Sequence, residues 1–245
     1  MGQAFNESAG FIHSVAGYLD HSPMDYVDLP QRSSLRKEEL RALTPAEYLQ
    51  LIELCGPLER LAITIAGWLG ARRGEGFGLR WQDLDLDRDV MTFRQGFVSA
   101  RITSLKTRSS RAEMAIPSDV REALLEWKKH TPYSAPESWV FASSATNGER
   151  PFWPEAILAN YIQPIAQAAG LGRIAWHTFR HSVSQWGKQA LNLEETKEIL
   201  RHSNIQTTSD IYKGLPLEGK REAQQRLVEF VRAEAKKSLD LAVSV

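Results

Sequence analysis

Apolar residues recur at helical spacing over most of the chain and at strand-like spacing in one stretch near its middle. Near the N-terminus, Phe11, Ile12, Val15, Tyr18 and Leu19 share one face of 8–20 (SAGFIHSVAGYLD), which predicts a short amphipathic helix. SPMDYVDLPQRSS, with two prolines, reads as a linker, and the charged 36–39 as a solvated segment. A strong start signal follows at 44–47. Thr44 suits the N-cap, Pro45 the first helical position, and Glu47 the return partner of a capping box. That helix is expected to run through YLQLIELC and stop at Gly56-Pro57. Residues 58–71 (LERLAITIAGWLGA) are mostly apolar, as a central buried helix would be. In RRGEGFGLRWQDLDLD, glycines 74, 76 and 78 weaken the helix locally.

Between 90 and 117 the period shortens. VMTFRQ and RAEMAIP are β-favouring and partly alternating, with KTRSS as a turn between them, so two or three antiparallel strands are expected. Helical spacing returns at 118–130, starting at Ser118 or Asp119. The stretch 131–153 reads as loop interrupted by WVFAS, and 154–169 as helix with a break at Pro164. Short helices are expected at 178–190, 194–201 and 206–212, then a last one at 217–237 with an apolar stripe of Ala223, Leu227, Phe230 and Val231. The fold class is therefore α+β: a mostly helical domain with a small antiparallel sheet on one edge.

Composition narrows this picture. In 245 residues, 42% apolar and 24% charged is ordinary for a globular protein, and no apolar run approaches the roughly 18 residues of a membrane span. Residues 1–30 lack the basic and apolar regions of a secretory signal. The lone cysteine, Cys55, excludes an intrachain disulfide and suits a reducing compartment, the cytoplasm. Its setting, LIELCG, suggests a buried inert thiol. Net charge is zero, so nucleic-acid binding must rest on where the charges sit.

Several polar residues do not fit a plain core. Arg72 ends the most apolar helix, with Glu75 three residues on; on that segment alone an i,i+3 surface pair accounts for both. His177 and Arg180, in WHTFRHS, are three apart and share one side of a helical turn. Lys106 lies in LKTRSSR, where a lysine is ordinarily just solvated. His202 fits a cation at a helix C-terminus, and Tyr212 could simply pack. Together, two arginines, a lysine, histidines and a tyrosine, with no carboxylate cluster of metal-ligand type, match a phosphate diester. Arginine forks fit its non-bridging oxygens, histidine and lysine move protons, and a tyrosine can attack phosphorus.

These residues lie in four segments that together resemble the tyrosine recombinases of the phage integrase type. GARRGEGFGLRWQDLDLD (70–87) resembles the first motif, matching Arg72 to a catalytic arginine and Glu75 to its accompanying acid. LKTRSSRAEMAIP (105–117) resembles the β-hairpin motif with the catalytic lysine, Lys106. WHTFRHS (176–182) gives His177 and Arg180, with His181 as a supporting residue, and LRHSNIQTTSDIY (200–212) gives His202 and the nucleophile Tyr212. The resemblance implies cleavage and rejoining of double-stranded DNA through a 3′-phosphotyrosyl bond, with no cofactor, neither ATP nor metal. It also implies self-association on DNA through the C-terminal helix, by way of Leu227, Phe230 and Val231. A helix folded back on its own domain is the alternative.

Two departures stand out. Position 201 is arginine where the family usually has glycine, so either the turn differs or Arg201 adds a phosphate contact. Only residues 1–40 precede the catalytic domain, 41–245; they resemble the last helix of a core-binding domain plus its linker, as in a fragment or minimal variant. Rival readings are a non-cleaving DNA-binding or architectural protein with a relic site, and a type IB topoisomerase.

Overall fold

A computed structural model describes residues 41–104, 113–201 and 216–243. The predicted helices at 8–20 and 206–212, the KTRSS turn, the proposed division at residue 40, Lys106, His202 and Tyr212 lie outside the described residues.

Helix α1, Pro45–Leu54, starts as the sequence predicts. Thr44 Oγ1 accepts from Glu47 N at 3.3 Å, and Glu47 Oε2 accepts from Thr44 N at 2.8 Å. Helix α2, Pro57–Trp68, is the buried centre: every residue from Leu61 to Trp68 is buried. Its Gly67 allows the approach of α1, since a Cβ there would meet the Tyr48 hydroxyl at 2.3 Å. Tyr48 packs edge-on to Trp68 and tilted against Trp186, both at 5.1 Å between ring centres. Trp186 Nε1 donates to Leu43 O at 3.0 Å, and Ser182 Oγ accepts from Leu43 N at 2.8 Å. These bonds pin the segment before α1 to the helix that carries Arg180.

The glycine-rich stretch forms only a five-residue helix, α3 (Arg73–Phe77). Among the described residues, five short strands follow: β1 (Leu84–Asp85), β2 (Val90–Thr92), β3 (Gln95–Val98), β4 (Arg101–Ser104) and β5 (Glu113–Ala115). They form two antiparallel sheets, β1-β2-β5 and the hairpin β3-β4. VMT and EMA pair as expected, with Met91 opposite Met114. The β3-β4 hairpin was not expected. Its turn residues, Ser99 and Ala100, have φ of 50° and 60°, values that Gly or Asn usually supply, so the sequence carries no turn signal there.

Helix α4 spans Ser118–His130. The run from Pro154 is also helical throughout, as α5 (Pro154–Ile157), a π-helical turn (Leu158–Ile162) and α6 (Gln163–Ala168). Pro164 does not break it. Proline cannot donate to residue 160 and crowds that carbonyl, and the wide π turn absorbs both defects. Helix α7 is Trp176–Ala190, α8 is Leu193–Leu200 and α9 is Leu217–Val243, six residues longer than the sequence pattern indicated. Asn192 caps α8 with Glu195, by bonds of 2.9 and 3.0 Å.

The apolar stripe of α9 meets its own domain. Ala223, Leu227 and Val231 have no exposed surface and Phe230 is half-buried, with the helix lying against α1, β5, α7 and α8. This corrects the expectation that Leu227 and Val231 face a neighbouring protomer: an amphipathic pattern says that a face is covered, not what covers it.

Candidate active site

The site forms where the end of α2, the start of α3, the first half of α7 and the end of α8 meet. Helix α2 closes through Leu69 and Gly70, the latter at φ +54°, in the left-handed region. A Cβ on residue 70 would lie 2.8 Å from Leu200 Cδ2, so glycine is needed for the turn and for the approach of α8. Arg72 is then the N-cap of α3, in extended conformation, and Glu75 is its third residue. That spacing lets the carboxylate cap the helix start. Glu75 Oε2 accepts from Arg72 N at 2.8 Å while Oε1 accepts from Arg72 Nη1 at 2.7 Å.

The pair is not the surface contact that the segment alone would suggest. Glu75 is 3% exposed, and the other hydrogen bond of the Arg72 fork runs from Nη2 to the carbonyl of Arg201 at 3.0 Å. Arg180, on α7 and 8% exposed, donates from Nη1 to the carbonyl of Gly70 and from Nη2 to that of Leu200. Two guanidiniums 108 positions apart in sequence are thus anchored on consecutive carbonyls, those of residues 200 and 201.

Arg201 completes the cluster. It holds the left-handed conformation, φ 48° and ψ 47°, that a family glycine would adopt. Of the two explanations for arginine at this position, neither applies: the left-handed turn persists, and the side chain is buried within the protein. Its Nη2 donates to Glu75 Oε2 at 2.7 Å, its Nη1 to Leu69 O and Ile199 O at 3.3 Å each, and the guanidinium lies 4.5 Å from the Phe93 ring centre.

Among the described residues, three guanidiniums therefore surround one carboxylate, leaving two positive charges. Burial pushes the Glu75 carboxyl up, but Arg201 and the Arg72 hydrogen bonds outweigh it and hold the group below its ordinary value. Arg180 is pressed down to about 9 by burial, then by Arg72 and Arg201, with Glu75 opposing. An anion entering beside Arg72 and Arg180 offsets the repulsion among these like charges.

Helix α7 owes its start to Thr178, whose hydroxyl accepts from Ala175 N at 3.1 Å. His177 is exposed, one turn before Arg180, and His181 is half-buried, about a quarter turn beyond it. Sequence reasoning found Arg72, Glu75 and Arg180, and the structure brings those three together. It missed the anchoring carbonyls of Gly70, Leu200 and Arg201, which no residue-type pattern reports. Among the described residues no group of three or more His, Cys, Asp or Glu is placed to hold a metal ion, and no helix is long and apolar enough to cross a membrane.

The family description "Phage integrase family" matches residues 41–215, most of the chain and all four motifs. The chain belongs to the phage integrase family. Within that family it is 27% identical over 233 residues to the ICEBs1 integrase of Bacillus subtilis (strain 168), across 87% of this chain and 60% of that protein. The chain thus spans about three fifths of this relative's length. In fold it is similar to the Tn1549 transposon integrase (residues 82–397) in complex with transposon right end DNA, with a TM-score of 0.62 at 19% identity over 90% of this chain and 76% of that one. It is also similar to the integrase from mycobacterium phage Brujita, with a TM-score of 0.54 at 17% identity over 90% and 68% of the two chains. The family's mostly helical catalytic domain with small antiparallel sheets is the fold described above.

Proposed function

We propose that this protein is a site-specific DNA recombinase that cuts and rejoins double-stranded DNA through a 3′-phosphotyrosyl intermediate. The observation that carries this reading is the joint anchoring of Arg72 and Arg180 on one turn, around a carboxylate too few to neutralise them. Excess positive charge on the buried Arg180 and half-buried Arg72 is costly without an anion, and a phosphodiester supplies one charge, with a second developing as phosphorus becomes five-coordinate. The ICEBs1 integrase is a family relative, and the Tn1549 integrase of similar fold is described bound to transposon DNA.

In the proposed reaction the Tyr212 hydroxyl attacks phosphorus. The new tyrosyl O–P bond forms as the P–O5′ bond breaks. Lys106 protonates the leaving 5′-oxygen, and His177, exposed beside Arg180, assists proton removal from the phenol. Arg72 and Arg180 stabilise the equatorial oxygens, and His202 bonds one of them. Glu75 orients Arg72, and His181 braces the helix that carries Arg180. Attack by another strand's 5′-hydroxyl reverses the step and makes the new joint. The bond energy stays in the phosphotyrosine, so the reaction calls for neither ATP nor metal. We place the reaction in the cytoplasm. Self-association on DNA would use the outer end of α9, where Leu239 and Leu241 are exposed, because Leu227 and Val231 are committed to the core.

A duplex nicked near the scissile phosphate tests the proposal, since loss of the short strand traps the covalent product. A protein–DNA adduct that disappears in Tyr212→Phe is expected. Normal DNA binding with no adduct would instead make the protein a non-cleaving architectural one. Relaxation of supercoiled plasmid without strand exchange would make it a topoisomerase.

A further inference from the structure

The residue at the end of α8 carries an inference beyond the six proposed catalytic positions. A left-handed conformation disfavours any residue with a Cβ, by roughly 1–2 kcal/mol. Arginine also rarely goes fully inside unless it is paired. Arg201 does both, and apart from Ile199 O on its own helix and the Phe93 ring its contacts run to one segment. Glu75 and Leu69 belong to the segment that presents Arg72, and Arg201's own carbonyl accepts from Arg72 Nη2. Backbone and side chain of one residue therefore hold that segment from both sides.

The division of the carboxylate matters most. Arg201 takes Glu75 Oε2, which leaves Oε1 for Arg72 Nη1. Without the Arg201 side chain, Glu75 Oε2 would be open to Arg72, whose fork could then leave the residue-201 carbonyl and close on the carboxylate. We propose that Arg201 is a positioning residue for Arg72. It shares the Glu75 carboxylate, keeps Arg72 net cationic and fixes its guanidinium plane toward the phosphate. The proposal rests on the recombinase reading only in that the anion is taken to be a DNA phosphate.

Three variants and two readouts test it. Arg201→Gly keeps the left-handed turn and removes the side chain, Arg201→Met keeps the buried length without charge, and Arg201→Lys restores a cation toward Glu75. The first readout is the single-turnover rate of adduct formation on the nicked duplex at saturating protein, beside the DNA Kd. The second is the Arg72 guanidinium 15N–1H resonance, assigned with Arg72→Lys, which reports whether the fork is held and needs no cleavage. For Arg201→Gly and Arg201→Met we expect adduct formation to slow roughly 10- to 100-fold, with Kd changed less than about threefold and the Arg72 resonance broadened. Arg201→Lys should regain much of both signals. If Arg201→Gly does not fold, the comparison of methionine with lysine decides. A wild-type rate and a sharp Arg72 resonance in Arg201→Met would overturn the proposal. A wild-type protein that forms no adduct would overturn the recombinase reading, while the resonance would still decide the role of Arg201.

Discussion

Arg72 Nη2 donates to the backbone carbonyl of Arg201 at 3.0 Å, across 129 positions of sequence. The bond joins the first motif of the family to the residue directly before the last motif's histidine. With the Glu75 contact at 2.7 Å it fixes the Arg72 fork at both nitrogens. Arg72→Lys keeps the charge and loses both fixed bonds, so adduct formation on nicked DNA should fall by about 10²- to 10³-fold. Arg180→Ala, which also vacates the carbonyls of Gly70 and Leu200, should lose several orders of magnitude (~10³-fold or more). Filter binding of intact duplex, run beside the covalent assay, separates this loss from a loss of affinity.

Glu75 links stability to acid. Its folded pKa lies below the ordinary 4.5, so its contribution is complete above that value and is lost as pH falls through the folded pKa. Glu75→Gln takes the carboxylate from the buried Arg201 guanidinium, and also from the half-buried Arg72, and should cost about 3–5 kcal/mol at neutral pH. Urea titrations at pH 7 and at successively lower pH should show wild type and variant converging as the carboxyl protonates. A gap that stays constant with pH would contradict the assignment.

Gly70 is the cheapest place to disturb the site without touching a charge. Gly70→Ala imposes about 1–2 kcal/mol of left-handed strain and sets a methyl 2.8 Å from Leu200 Cδ2. The melting temperature should fall by several degrees, at about 2–4 °C per kcal/mol for a chain of this size. Because the Gly70 carbonyl anchors Arg180, cleavage measured well below the melting temperature should fall further than the folded fraction accounts for.

Leu227→Ala distinguishes the two uses of the last helix. With the side chain fully buried in its own domain, the substitution should cost about 2–5 kcal/mol. The drop in melting temperature should be the same at micromolar and at hundredfold higher protein concentration. A loss that depended on concentration would place Leu227 between protomers instead.

What the sequence could convey depended on the range of the interaction. The TPAE start of α1 was legible because a capping box lies within four residues. The apolar run of α2 was legible because a helix buried all round needs no partner's identity. The β3-β4 hairpin was illegible because Ser99 and Ala100 adopt positive φ without the residues that announce it. Arg72, Glu75 and Arg180 were readable as types in a motif. That Glu75 is buried, and that Arg201 lies beneath it, comes from the packing of α8 against the end of α2, which no local window contains. Pro164 misled because its effect on a helix depends on whether the preceding turn can widen.

Cys55 closes α1 with its side chain 2% exposed, and burial, then Glu59, pushes its thiol up to about 12, against a small opposing effect of Arg60. At pH 8 only about one molecule in ten thousand would carry the reactive thiolate. The chain has no other cysteine. A cysteine introduced at an exposed position, such as Tyr161 or Trp153, would take a maleimide fluorophore or spin label on native protein while the resident thiol stays silent. Distances between two such reporters would then report on the protein with and without a DNA duplex, with no background to subtract.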